Sequence, residues 1–106
     1  MKYLVVGSGG PGFASPEEAI KVLREIILPS FDQLIKLEKQ KKILAGGLPV
    51  GDRAFMFIVE ASSNEELDQM LRKLPMWGSL DWDVTALQTF AGRAAQERTL
   101  VKELKK

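Results

Sequence analysis

The sequence contains no histidine and no cysteine, so any proton transfer falls to carboxylate, lysine, tyrosine or serine side chains. The commonest general base near neutral pH and the usual zinc or iron ligand are missing. Disulfides, thiolate metal sites and cysteine nucleophiles go with them. No carboxylate cluster has metal-binding spacing, so neither metal nor cofactor is expected. Among the carboxylates, Glu60 closes the most apolar run of the chain, Glu38 lies late in a long helical pattern, and Asp81 and Asp83 flank Trp82. Taking a proton from a carbon beside a carbonyl needs a partly buried carboxylate and a cation such as arginine to hold negative charge. Arg53 stands seven residues before Glu60, an odd spacing that puts the two on opposite faces of a strand. The plainer reading makes Glu60, Asp81 and Asp83 exposed strand-end residues.

Two further patterns bear on chemistry. Gly7-Ser8-Gly9-Gly10-Pro11-Gly12 satisfies G-x-G-x-x-G between a strand and a helix. The helix cap, however, is Ser15, and no second parallel strand ending in an acidic residue follows about 20 positions on. A connecting loop, or a seat for a substrate carboxylate on its amides, fits these residues better than a dinucleotide. Tyr3, Trp77 and Trp82 are candidates to line a pocket for a small planar ligand. Aromatic residues at such spacings are more often core, and Trp77 is set apart by its place in a loop after a helix-ending proline.

These residues are positioned by a regular series of elements. Lys2–Val6 reads as a strand. Ser15, Pro16 and Glu18 make a capping box that opens a helix with Ala19, Ile20, Leu23, Ile26 and Ile27 on one stripe. Pro29 is expected to kink or break that helix, which resumes through Phe31, Leu34 and Ile35 to about Lys41. Ile43–Leu48 and Arg53–Ala61 read as strands joined by a turn at Pro49–Asp52. Ser63 and Glu66 repeat the capping box for a helix that Pro75 closes. Trp82–Leu87 reads as the last strand and Gly92–Lys105 as a terminal helix. The order β-α-β-β-α-β is the split βαβ pattern of ferredoxin-like folds. Residues 1–106 thus form a single α+β domain.

Fifteen Lys and Arg against fourteen Asp and Glu leave a formal charge of +1, which speaks against a phosphate-binding surface for nucleic acid. The lysines near residues 36–42 and at the C-terminus read as solvated helix ends. No apolar run is long enough for a membrane span or a signal segment, so a cytoplasmic location is expected. Phe55–Val59 is apolar toward both faces, and Val84–Leu87 shows no polar alternation. A bare apolar sheet face is unusual on a soluble monomer. A second copy packed sheet to sheet is the expected cover, giving a dimeric α+β barrel. The terminal helix folding back over its own sheet is the alternative.

The stretch Glu66-Leu67-Asp68-Gln69-Met70-Leu71-Arg72-Lys73-Leu74-Pro75-Met76-Trp77, followed by Leu80-Asp81-Trp82-Asp83-Val84, resembles the muconolactone isomerase family. That family has a similar helix ending in Leu-Pro, an apolar-aromatic pair, and a final strand reading acidic-apolar-acidic-valine. The resemblance is strongest over Ser63–Leu87. It implies a ferredoxin-like subunit, sheet-to-sheet homodimers or larger rings, and an activity that moves a proton within a small unsaturated lactone. The chain departs from the family at Ile43–Leu48, where aromatic, Arg and His side chains are usual, and at Gly78-Ser79 after the aromatic pair. Two functions are therefore carried forward. One is a cofactor-independent isomerase of an aromatic-derived compound, with Glu60 or Glu38 as base and Arg53 or Arg24 holding a carboxylate. The other is a non-catalytic binding or assembly module that keeps the fold.

Overall fold

The computed structural model describes residues 1–106. Its elements are β1 (Lys2–Ser8), α1 (Pro16–Val22), a π-helical turn (Leu23–Ile27), α2 (Leu28–Lys39), β2 (Ile43–Gly47), β3 (Phe55–Glu60), α3 (Asn64–Arg72), β4 (Asp81–Leu87) and α4 (Phe90–Leu104). One antiparallel sheet holds the strands in the order β2-β3-β1-β4. β3 inserts beside β1 and pairs with β2 on its other edge, as the ferredoxin-like pattern requires.

Register explains which face is buried. Tyr3 lies opposite Val59, Val5 opposite Phe57, and Gly7 opposite Phe55, and all six are buried. The core is completed by Leu37 of α2, by Leu67, Met70 and Leu71 of α3, and by Leu74, Met76 and Leu80 beyond it. The intervening residues Leu4, Val6, Met56, Ile58 and Leu87 point to the other face, because successive strand side chains alternate. Met56 stays 41% exposed and the rest are only partly covered.

The terminal helix does not close that face. No side chain of α4 is buried, and Phe90 is 98% exposed. With α4 projecting, the chain measures 70 × 25 × 22 Å and its radius of gyration is 18.1 Å, against about 13 Å for a compact domain of this length. The back-folded tail weighed as an alternative is not what the chain adopts.

Both capping boxes form. Ser15 Oγ accepts from Glu18 N–H at 3.1 Å and Ser63 Oγ from Glu66 N–H at 3.1 Å. The glutamates reach one residue beyond the cap, to the N–H of Ala14 and of Ser62, each at 3.0 Å. The Ser62 hydroxyl, then its N–H, hold the Glu66 carboxyl below its ordinary pKa.

Pro29 does not break the helix. A proline offers no N–H to the carbonyl one turn back. The chain answers with a π turn just ahead, closed by Leu28 N–H donating to Leu23 C=O. Pro29 then falls in the first turn of α2, where no N–H is needed. The next residue, the fully buried Ser30, donates to Ile26 C=O at 2.8 Å and accepts from Met76 N–H at 3.0 Å. Ser30→Ala should lower stability by about 1–3 kcal/mol, because the buried Met76 amide is left without a partner. Urea unfolding measures it, and an unchanged midpoint would contradict the role given to Ser30.

Candidate functional site

Two adjoining cavities of ≈ 340 and ≈ 240 Å³ lie between the long helix and the β2–β3 hairpin. Phe31, Leu48 and Phe55 line both, so they form two lobes of one cleft. Leu34, Ile35, Ile43, Gly46, Gly47, Met56 and Phe57 complete the larger lobe, together with Glu38. Leu23 and Ile27 of the π turn, Met76, Leu80 and the loop residues Gly10, Pro11 and Phe13 line the smaller one, together with Asp52 and Arg53. A mostly apolar cavity with a few polar groups at its margins is what small-molecule sites usually present.

Glu38 is held there by the way α2 ends. Lys41 adopts φ 60, its N–H donates to Glu38 C=O, and Lys42 N–H donates to Leu37 C=O, both at 3.0 Å. These two bonds make a Schellman ending, formed here on lysine where glycine is usual. Glu38 thus sits in the last turn, and the chain reverses at once into β2.

Arg53 follows the hairpin turn, which closes through Asp52 N–H to Pro49 C=O at 3.2 Å with Gly51 at φ +81. Its own N–H donates to Asp52 Oδ1 at 2.7 Å. Neither Glu38 nor Arg53 takes part in the chain's three ion pairs, all of them exposed.

The other nominated residues lie elsewhere. Glu60 is exposed at the end of β3, opposite Lys2, and pairs with the N-terminal ammonium at 3.1 Å. Arg24 is exposed on the π turn and lines neither lobe. Tyr3 is core, its hydroxyl donating to Asn64 Oδ1 at 2.5 Å. Trp82 stands behind the cleft wall, edge-on to Phe55 with ring centroids 5.7 Å apart. Its Nε1–H donates to Trp77 C=O at 3.1 Å, and Arg72 lies 4.5 Å over the Trp77 ring. Asp81 and Asp83 are exposed strand residues.

Sequence reading missed Phe31, Leu48, Gly46 and Gly47 as cleft residues. The one available signal was the glycine pair inside a strand, which marks a close approach or a bulge.

A ferredoxin-like α+β subunit with an apolar cleft under its long helix is the class that fold and site define. The chain belongs to the muconolactone delta-isomerase family, whose model matches residues 20–93. Among solved structures it is similar to a muconolactone isomerase, with 19% identity and a TM-score of 0.69 over 84% of this chain and 90% of that one. It is also similar to the 5-chloro-2-hydroxyhydroquinone dehydrochlorinase TftG from Burkholderia phenoliruptrix AC1100, in complex with 2,5-dihydroxybenzoquinone. There the identity is 21% and the TM-score 0.61, over 87% of this chain and 98% of that one. No curated protein matches the sequence. No helix is long and apolar enough to cross a membrane.

Proposed function

We propose that the protein is a cofactor-independent isomerase of a small aromatic-derived compound, working in the cytoplasm, with Glu38 as base and Arg53 holding a carboxylate. The observation that carries this reading is one apolar cleft with Glu38 in one lobe and Arg53 in the other. A ligand spanning the lobes would present its anionic end to Arg53 and an acidic C–H to Glu38. The carboxylate takes that proton, the C–H electron pair moves into the conjugated system, and negative charge collects on the carbonyl oxygen. The same carboxyl group returns the proton two carbons along, so the double bond migrates and no redox partner is needed. Family membership and the two structural neighbours, both acting on small ring compounds by name, support the reading.

Incubation with muconolactone in D2O, followed by proton NMR, tests it. Protein-dependent exchange at the carbon beside the carbonyl is the expected result. Binding in the cleft without exchange would instead favour the second reading, a non-catalytic binding module. The lining favours that alternative: it is mainly hydrophobic, Glu38 is exposed where such a base is best partly buried, and Glu38 and Arg53 make no hydrogen bond to one another.

The same proposal includes a homodimer built sheet to sheet. Its support is the uncovered apolar face, where Leu4 pairs with Ile58 and Val6 with Met56, beside a terminal helix that buries none of its own side chains. Sedimentation should give twice the 11.8 kDa chain mass. Ile58→Asp, which places charge at the centre of that face, should give the single-chain mass with the helical and strand signature retained. A wild-type protein of single-chain mass would refute the pairing.

A further inference from the structure

The loop from Gly9 to Phe13 touches the hairpin at one residue in particular. Gly10 N–H donates to Arg53 C=O at 3.2 Å. A β-carbon at Gly12 would stand 2.8 Å from Arg53 Nη1, closer than real β-carbons approach other atoms. The guanidinium of the exposed Arg53 thus lies where a Gly12 side chain would begin, and because it is the far end of a flexible side chain, alanine there would displace it at little cost in stability. Gly12 lies outside the left-handed region, so its backbone does not require glycine. What its missing side chain leaves is room for the Arg53 guanidinium. The α1 N-terminus is not the anion site, since Ser15 accepts from Glu18 N–H and Glu18 accepts from Ala14 N–H.

We propose that Gly12 is a positioning residue: it seats the Arg53 guanidinium at the margin of the smaller lobe, where the arginine receives the carboxylate of a small apolar ligand. This rests on the reading of the cleft as a ligand site. Arg53 is anchored through its backbone by Gly10 and Asp52, and its guanidinium lies against Gly12. Its charge is paired with no carboxylate of the chain. The Asp52 carboxylate beside it accepts from the Arg53 backbone N–H. A guanidinium with free donors beside an apolar cavity favours a planar carboxylate, which it can meet with two parallel hydrogen bonds.

Benzoate and its uncharged analogue benzamide are suitable probes, read by methyl NMR shifts of Leu23, Ile27 and Leu48. The wild-type protein should prefer benzoate by about tenfold, the size of one charge-assisted contact. Gly12→Ala should cut that preference at least several-fold and leave benzamide affinity unchanged. Arg53→Ala should abolish the preference, and adding Gly12→Ala to it should change nothing further. That non-additivity separates seating of the arginine from a general role in the loop. An undiminished preference in Gly12→Ala overturns the proposal. So does an equal loss from Gly12→Ala in the Arg53→Ala background, or unfolding there, since the clash would then not be with the arginine. If both probes bind equally, the seat fails and the cleft stands. If neither moves the cleft methyls, the cleft reading fails and the seat with it.

Discussion

Glu38→Gln is expected to lower the rate of proton exchange and isomerisation by about 10²–10⁴-fold, the usual contribution of a positioned general base. Glutamine keeps the shape and hydrogen-bonding capacity of the side chain but cannot accept the proton. Because Glu38 is exposed and forms no ion pair, the substitution breaks no folded-state contact. Ligand affinity and the unfolding midpoint should therefore stay where they are. A fall in kcat with KM little changed is the signature sought. The competing base is Glu60, at the strand end beside the N-terminus. A loss of comparable size in Glu60→Gln, with Glu38→Gln active, would move the chemistry out of the cleft.

The largest structural effect should come from Gly46→Ala. Gly46 lies in β2 opposite Phe57, just after a shift in register between Ile43 and Ala45. A β-carbon there would stand 2.5 Å from Met56 O and 2.6 Å from Phe57 Cβ, and its φ of +157 is one that L side chains rarely adopt. Those atoms cannot retreat. Met56 and Phe57 are held from the other side by pairing with Val6 and Val5 of β1. The edge strand must move instead, and it carries Gly46, Gly47 and Leu48 of the cleft with it. Overpacking against fixed backbone typically costs about 1–3 kcal/mol or more, and urea unfolding should show a loss toward the upper end of that range. Gly47→Ala is the matched comparison. A β-carbon at Gly47 meets nothing within 4 Å, so its effect should be small. Equal behaviour of the two variants would mean that close approach at Gly46 is not what the glycine serves.

Much of the fold was legible because the signals that specify it are local. Ser15 with Glu18 and Ser63 with Glu66 mark helix starts through groups three residues apart, and both caps form as the spacing requires. The alternation of Phe55, Phe57 and Val59 with Met56 and Ile58 marked a strand whose open face also carries apolar residues. The proline was read correctly as a disturbance, which the chain absorbs in a π turn without breaking the helix. Whether a helix absorbs a missing N–H by breaking or by a π turn depends on what holds its two halves. Here Ser30 ties the downstream half to Met76.

The candidate site was only half legible. Glu38 and Arg53 were nominated for their chemistry alone, alongside Glu60 and Arg24, and nothing in their spacing favoured one pair. A hairpin reversal and a turn bring those two to one cleft, while Glu60 runs to the far end of β3. The aromatic candidates Tyr3, Trp77 and Trp82 were sound as buried or half-buried residues but do not line it.

By itself, the sequence determined the order of elements, their caps, the apolar character of both sheet faces, and the absence of histidine and cysteine chemistry. These follow from neighbours within a few residues of one another or from composition. Only the tertiary structure decided that α4 leaves its own sheet uncovered, that the cleft opens between the long helix and the hairpin, and that Arg53 rests on Gly12. Each of those depends on segments distant in the chain meeting in space, and one-dimensional spacing carries no record of such meetings.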